Sequence, residues 1–134
     1  MTVSHPQYTV MLGSDQAQDF DGETEVKGFY GAPNDFVVWL EDEKLFVNDW
    51  GLASYSTFGQ FVQGKQATDM GFDVEDPDAT SMLRCPLAMF WPYDENAKLI
   101  GEEVYQLAPF EVSKPRDEDL FTFQERADML KKYL

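Results

Sequence analysis

The sequence predicts an α+β domain over residues 1–134, with a mainly antiparallel sheet built from two hairpins and a C-terminal amphipathic helix. Three observations support this prediction. The chain is 43% hydrophobic and 15% aromatic, which is enough apolar material for a core and unlike a disordered chain. Residues 36–40 and 81–91 are apolar runs rich in strand-forming residues, and a capped helical pattern follows from residue 122. Strands followed by a helix are typical of α+β domains.

The first thirty residues predict two short strands separated by a charged loop. Residues 1–7 are expected to be flexible, and residues 8–12 to form a strand that ends at Gly13. Acidic side chains crowd residues 14–24, which predicts a loop. Residues 25–30 then read as a second strand.

The first hairpin is predicted around a polar connection. Residues 36–40 are apolar on both faces, as in a central strand, and residues 41–44 are a polar link to a returning strand at residues 45–47. Residues 52–63 place apolar side chains near helical spacing, although Gly59 interrupts the pattern. The sequence therefore leaves open one short internal helix at this point.

The second hairpin follows an acidic loop at residues 69–80. Residues 81–91 predict a strand that is bulged, broken or at a sheet edge, because Pro86 lacks the N–H of a ladder donor. Residues 93–98 are turn-like, and residues 99–112 are extended again.

The C-terminal segment carries the clearest helix signal. Thr122 and Glu125 have the spacing of a capping box, in which each side chain accepts a hydrogen bond from the other's backbone N–H. The apolar residues that then share one helical face are Phe123, Ala127, Leu130 and Leu134. We expect this face to pack on the sheet, with a homodimer seam as the alternative.

Charge is the most unusual property of the chain. It has 25 acidic and 10 basic residues and a net charge of −15. Residues 1–80 contain 15 acids and three bases, whereas residues 81–134 contain 10 acids and seven bases. Such a field repels nucleic acids and anionic membranes and attracts basic partners. Solubility, or life in a salty compartment, is the simpler explanation.

Catalytic chemistry finds little support in the sequence. The single histidine, His5, lies in the segment expected to be flexible, and the single cysteine, Cys85, lies in an apolar strand. One histidine and one cysteine cannot form the usual zinc sites, and EF-hand spacing is absent. Residues 59–65 match the glycine and lysine spacing of a phosphate-binding loop, but Gln66 replaces the required hydroxyl. We predict no catalytic residues, no metal and no cofactor, with a weak calcium site on the two acidic loops as the alternative.

The predicted location is the cytoplasm, or the host cytoplasm if the gene is viral. A lone cysteine fits a reducing compartment. The first residues lack the features of a signal peptide, and no apolar run approaches the ~20 residues that span a bilayer.

The function predicted from these observations is that of a non-catalytic acidic binding protein. It would inhibit or neutralise a basic, nucleic-acid-binding protein, as DNA mimics, phage anti-defence proteins and toxin immunity proteins do, without binding nucleic acid itself. The residues expected to contact the partner are Asp15, Asp19, Asp21, Glu23, Glu41, Asp42, Glu43, Trp50, Asp73, Glu75, Asp76 and Asp78. A structural or assembly subunit, such as a virion component, is the main alternative, and a carboxylate-based enzyme or small-molecule binder is the third.

Overall fold

A computed structural model describes residues 2–31 and 37–131, without the side chains of Phe123 and Leu130. Its seven strands are β1 (Thr2–Met11), β2 (Gln18–Asp21), β3 (Val37–Asn48), β4 (Gly51–Gln63), β5 (Thr80–Pro92), β6 (Leu99–Gln106) and β7 (Glu111–Ser113). Its three helices are α1 (Gly22–Gly31), α2 (Gly64–Asp69) and α3 (Phe123–Leu130), and a single 3-10 turn spans Asp117–Asp119.

The seven strands form one sheet in the order β2-β1-β6-β5-β4-β3, and β7 pairs with β5. Five of the strand pairings in the described part of the chain are antiparallel, but β1 and β6 run parallel. The predicted α+β class is confirmed in this coarser form: the fold is mostly sheet, and the sheet is mixed.

One face of the sheet, here called the buried face, is covered by α1 and α2. Val10, Leu87 and Val104 form one apolar cluster on it, against which Phe29 of α1 packs. Val62 and Leu83 form a second cluster with Ala67 of α2. Both helices therefore cover the same side of the sheet.

The second face is covered over only part of its area. Val37, Phe61 and Met82 form a buried cluster there, with Trp39 and Phe121 packed against it. Phe121 belongs to the segment that leads from β7 to α3, so the chain near the C-terminus covers this part of the sheet, here called the covered half.

The predictions for residues 14–30 are wrong in detail. Residues 18–21 form strand β2, and residues 25–30, predicted as a strand, belong to helix α1. The Glu25 carboxylate accepts a hydrogen bond from the backbone N–H of Asp21 at 2.7 Å, one residue before the helix starts. The side chains of Val26 and Phe29, three positions apart, are the partly buried ones.

The predicted first hairpin, with strands at residues 36–40 and 45–47 joined by residues 41–44, is wrong: residues 37–48 form the single strand β3, and the hairpin joins β3 to β4. Strand β3 continues through residues 41–44, where a register shift and the positive φ of Asp42 (52°) mark a bulge. The turn comes later, where the Asn48 side-chain carbonyl accepts from the Trp50 N–H at 2.9 Å. Strand β3 lies at the sheet edge and not at its centre.

Residues 52–63 form strand β4, so the short internal helix expected there is wrong. Alternate residues of β4 face opposite sides of the sheet, and both sides carry apolar groups, such as Val62 on the buried face and Phe61 on the covered half. Apolar residues on both faces of a strand imitate helical spacing in the sequence. The internal short helix of the structure is α2, which follows β4.

Strand β5 is central, so of the alternatives predicted from Pro86 (a bulged, broken or edge strand) the sheet edge is wrong. On one side β5 pairs with β4 throughout its length. On the other it pairs with β7 at residues 82–84 and with β6 at residues 87–90. On that second side, the Pro86 carbonyl accepts a hydrogen bond from the Leu107 N–H at 2.9 Å. Pro86, which has no N–H to donate, therefore lies at the junction between the two partner strands β7 and β6. The predicted hairpin of β5 and β6 is confirmed.

The structure tests the predictions for the two ends of the chain. Thr2 to Gln7, expected to be flexible, belong to β1 in the structure. The capping box is confirmed: Thr122 Oγ1 accepts from Glu125 N at 3.1 Å, and Glu125 Oε2 accepts from Thr122 N at 2.7 Å. The packing of the helical face stays a prediction, because Leu134 and the side chains of Phe123 and Leu130 lie outside the described residues.

Candidate functional site: an open sheet face

The part of the second face that no described residue of the C-terminal segment covers is here called the open half. Strand register places six of its residues in one row across the sheet. In order from β2 to β3 they are Asp19, Thr9, Glu103, Phe90, Ala53 and Phe46. The row begins with acidic and polar side chains and ends with apolar and aromatic ones.

A second row runs parallel to the first, one pleat further along the strands. Its members, from β1 to β3, are Met11, Tyr105, Ala88, Tyr55 and Lys44. Trp50, in the β3–β4 turn, lies at the end of this surface, with its ring 6.4 Å from that of Phe90. The open half therefore carries five aromatic residues: Phe46, Trp50, Tyr55, Phe90 and Tyr105.

Burial shows that this surface faces solvent. Phe46 is 56% exposed, Trp50 47% and Tyr55 46%, whereas Ser54 and Ser56, on the opposite side of the same strand as Tyr55, are almost fully buried. An exposed group of large aromatic side chains is uncommon on a soluble protein and typically marks an interaction site.

Three carboxylates flank the aromatic residues. Asp19 and Glu103 both lie opposite Thr9, one on each side of β1, so their strands are about 10 Å apart. Asp19 accepts a hydrogen bond from the Thr9 hydroxyl at 2.7 Å. Asp21 accepts from Gln7 Nε2 at 3.2 Å and lies 2.9 Å from His5 Nε2. These local contacts hold the carboxylates in place and leave them exposed.

Two groups at this site, the Asp21 carboxyl and the Tyr105 hydroxyl, have shifted pKa values. The hydrogen bond from Gln7 and the neighbouring His5 lower the pKa of Asp21, so this carboxyl is ionised at neutral pH. The Tyr105 hydroxyl donates to Glu103 at 2.8 Å. That hydrogen bond, together with burial and the charges of Glu103 and Asp19, raises the pKa of Tyr105. Tyr105 joins the carboxylates to the aromatic side, with its ring 6.1 Å from Phe90.

The structure separates the predicted partner-binding residues into several groups. Asp19 and Asp21 lie on the open half, and Trp50 at its end. Glu23 lies on α1 and pairs with Lys27, and Asp15 lies in the turn after β1. The four acids at residues 73, 75, 76 and 78 are all exposed in the loop between α2 and β5.

The predicted acids of β3 lie at the opposite sheet edge from Asp19 and Asp21. Asp42 and Glu43 are exposed at the bulge. Glu41 is partly buried and accepts from Trp39 Nε1 at 2.6 Å and from Arg84 Nη2 at 2.8 Å. Burial raises the pKa of Glu41, but these two hydrogen bonds and the charge of Arg84 outweigh it and lower the pKa overall. Glu41 is therefore engaged within the protein.

Sequence reasoning missed Glu103 and most of the aromatic residues of the open half. Residues 81–91 read as a strand with two apolar faces, so nothing indicated that Ala88 and Phe90 face solvent. The alternation of side chains along β6 puts Glu103 and Tyr105 on the same face, and this was the signal available in the sequence.

Cys85, the single cysteine of the chain, lies in the sheet interior. Cys85 is buried, and burial raises the pKa of its thiol to about 11, which disfavours the nucleophilic thiolate. Across residues 2–31 and 37–131, no three His, Cys, Asp or Glu side chains are grouped so that they could hold a metal ion. No helix in this part of the chain is long and apolar enough to cross a membrane.

In comparisons with known proteins, no family model matches the chain and no curated protein sequence matches it.

Proposed function

We propose that this chain is a non-catalytic acidic binding protein whose open half contacts a basic, nucleic-acid-binding protein and blocks it. The observation that supports the proposal most directly is the juxtaposition of five aromatic residues with Asp19, Asp21 and Glu103 on a sheet surface that no described segment covers. The net charge of −15 supplies a long-range attraction for such a partner.

The chemistry of the open half suits lysine and arginine side chains. Their cationic groups can pair with the three carboxylates, and guanidinium groups also stack on aromatic rings. Tyrosine and tryptophan are enriched among the residues that dominate protein–protein binding energy. A surface built to hold phosphate would present both kinds of cation, so an acidic protein can occupy it in place of DNA.

The test uses two variants with the same change in net charge. One carries Asp19→Asn, Asp21→Asn and Glu103→Gln, which keeps hydrogen-bond acceptors at each position. The control carries Asp73→Asn, Glu75→Gln and Asp78→Asn in the α2–β5 loop, where all three side chains are exposed. Wild type and both variants are used as bait in host lysate at low and at high salt, and retained proteins are identified by mass spectrometry.

We expect wild type and the loop control to retain the same basic protein at low salt, and the open-half variant to lose it. The purified partner should then be competed off by DNA, and its affinity should fall at least tenfold with the open-half variant. Equal loss in both variants would show that total charge, and not this surface, determines binding. Retention of no basic protein by wild type would contradict the proposal.

A second candidate, a self-assembling structural subunit, is favoured by the exposed edge of β3. Leu40, Leu45 and Val47 are all more than 40% exposed on this twelve-residue edge strand, and Val47 reaches 72%. Exposed apolar edge strands pair readily with another chain. Sedimentation analysis at high protein concentration tests this: a defined oligomer that Val47→Lys dissociates would support assembly, and a strict monomer would contradict it.

A further inference from the structure

The C-terminal segment, here residues 114–131, reaches the covered half through the ring of Phe121. This ring packs edge-on against Phe61, with 5.4 Å between the ring centroids. The other large apolar side chains of the segment that the structure describes, Leu120 and Met129, are 39% and 50% exposed. Among the described side chains, Phe121 therefore supplies the main apolar contact between the segment and the sheet.

Two open cavities flank the Phe121 ring. One, of about 600 Å³, lies between Phe121 and the end of β4, with Gln66 of α2 in its wall. The other, of about 560 Å³, lies between residues 114–119 and Met82 of the sheet. Phe61 and Phe121 belong to the walls of both cavities. Protein interiors are normally close-packed, so the described residues fill the space beneath the segment poorly.

Several polar contacts of the segment join its own residues. Arg116 pairs with Glu118 and Asp119, at 2.7 Å in each case. Thr122 and Glu125 bind each other through the capping box. These contacts do not depend on the sheet, and they would persist if the segment moved away from it. Residues 116–120 are all exposed, whereas the residue before them, at the start of the segment, is buried.

The sheet surface beneath the segment is held in place by contacts within the sheet. The Trp39 ring lies directly on Gly59, where a Cβ would come within 2.3 Å of the indole. The Trp39 Nε1–H donates to Glu41 at 2.6 Å. Phe61 and Tyr55 lie on the same face of β4, so this surface continues into the open half.

We propose that the C-terminal segment is a displaceable cover, which lifts from the sheet beyond Pro115 while the sheet stays folded. Segments with few buried apolar contacts open locally at a lower free energy than the whole protein unfolds. The opened state joins the covered half to the open half and adds Trp39, Phe61 and Met82 to the exposed surface. The use of this larger surface by a basic partner rests on the proposed function. The opening is a property of the chain alone, so a test without a partner can fail independently of that function.

Native-state hydrogen exchange, followed by NMR at increasing low concentrations of urea, tests the opening. The two reporters are the Trp39 Nε1–H on the sheet and the Arg126 N–H in α3, which donates to the Thr122 carbonyl at 3.0 Å. We expect both to exchange faster than the amides between β4 and β5, with a similar and smaller urea dependence, because opening exposes less surface than unfolding. Exchange of the Trp39 Nε1–H at the rate and urea dependence of the β4–β5 amides would overturn the proposal.

Two variants that each remove one partly buried phenylalanine ring locate the opening. Phe121→Ala removes the ring that holds the cover and should speed exchange of the Trp39 Nε1–H about tenfold relative to the β4–β5 amides. Phe110→Ala is the control, because Phe110 packs near Phe58 and Phe72 on the buried face. It should change the Trp39 signal only as much as it changes those amides. The same ratio of rates in Phe121→Ala as in wild type would contradict a cover held by this ring.

Discussion

The two halves of the second sheet face are built from the same central strands but differ in what covers them. In the covered half, Phe61 is 7% exposed and packs against Trp39 and Phe121. In the open half, Tyr55, six residues earlier on the same face of β4, is 46% exposed. Aromatic residues are therefore part of the core in one half and available for contact in the other.

The difference shows that residue type alone does not determine the role of a strand position in this protein. The segment after β7 supplies Phe121 to cover Phe61, and no described segment covers Phe46 or Tyr55. If this interpretation is correct, truncation of an aromatic residue will affect folding in one half and binding in the other.

The largest expected effect is on stability in the covered half. Phe61→Ala should lower the free energy of unfolding by about 3–5 kcal/mol, because it leaves a cavity among Val37, Met82 and Trp39. Phe46→Ala in the open half should cost about 1 kcal/mol or less, which is the range of strand propensity at an exposed site. Urea unfolding of both variants gives the two values. Similar losses would contradict the division into two halves.

A smaller loss is expected from Gly59→Ala. The added methyl group would meet the Trp39 indole at 2.3 Å, so the ring must move off the sheet. Overpacking of this kind typically costs about 1–3 kcal/mol. Chemical denaturation measures the loss, and the NMR signal of Trp39 Nε1–H should shift as its hydrogen bond to Glu41 is disturbed. A variant as stable as wild type with an unshifted indole signal would show that the covered half is loosely packed.

Loss of the helix cap should have a still smaller effect. Thr122→Ala removes the hydroxyl that accepts from Glu125 N, directly after the segment that covers Phe61. The expected cost is about 1 kcal/mol by urea unfolding. Thr122→Ser keeps the hydroxyl and serves as the control; it should stay close to wild type. Equal losses in both variants would mean that the cap hydrogen bond contributes nothing.

The smallest expected effect is a change in the pKa of Tyr105 in the open half. Tyr105 should ionise above its ordinary pKa of 10.0, and Glu103→Gln should bring that pKa down by removing a negative charge and a strong acceptor. Because the pKa is raised on folding, the stabilising contribution is fully present below pH 10 and is lost as pH rises through the folded value. NMR titration of the Tyr105 ring measures both proteins, and identical titration curves would contradict the hydrogen bond.

Local signals in the sequence predicted part of the fold correctly. The capping box of Thr122 and Glu125 and the turn before Leu99 depend on neighbouring residues, and both occur as predicted. Strand β4 was mistaken for a helix because apolar groups on both of its faces hide the alternation. Pro86 can lie in a central strand because β6 and β7, which both follow it in the sequence, meet beside it. No local sequence pattern indicates this meeting of two strands.

The candidate site was also predictable only in part, because long-range strand pairing brings its residues together. Asp19, Asp21 and Trp50 were identified from charge and turn context. Their association with Glu103, Tyr55 and Phe90 depends on the parallel pairing of β1 with β6 and on strand order, both of which are long-range properties.

The open half is the proposed binding surface. Hydroxyl-radical footprinting of the wild-type protein, free and with its captured basic partner, tests this claim most directly, because aromatic side chains are readily oxidised when exposed. We predict that the partner protects Trp50, Tyr55 and Phe90 while Phe72, a partly buried residue of the α2–β5 loop, is oxidised equally with and without it. Protection of Phe72, with Tyr55 and Phe90 unprotected, would place the interface elsewhere and contradict the account.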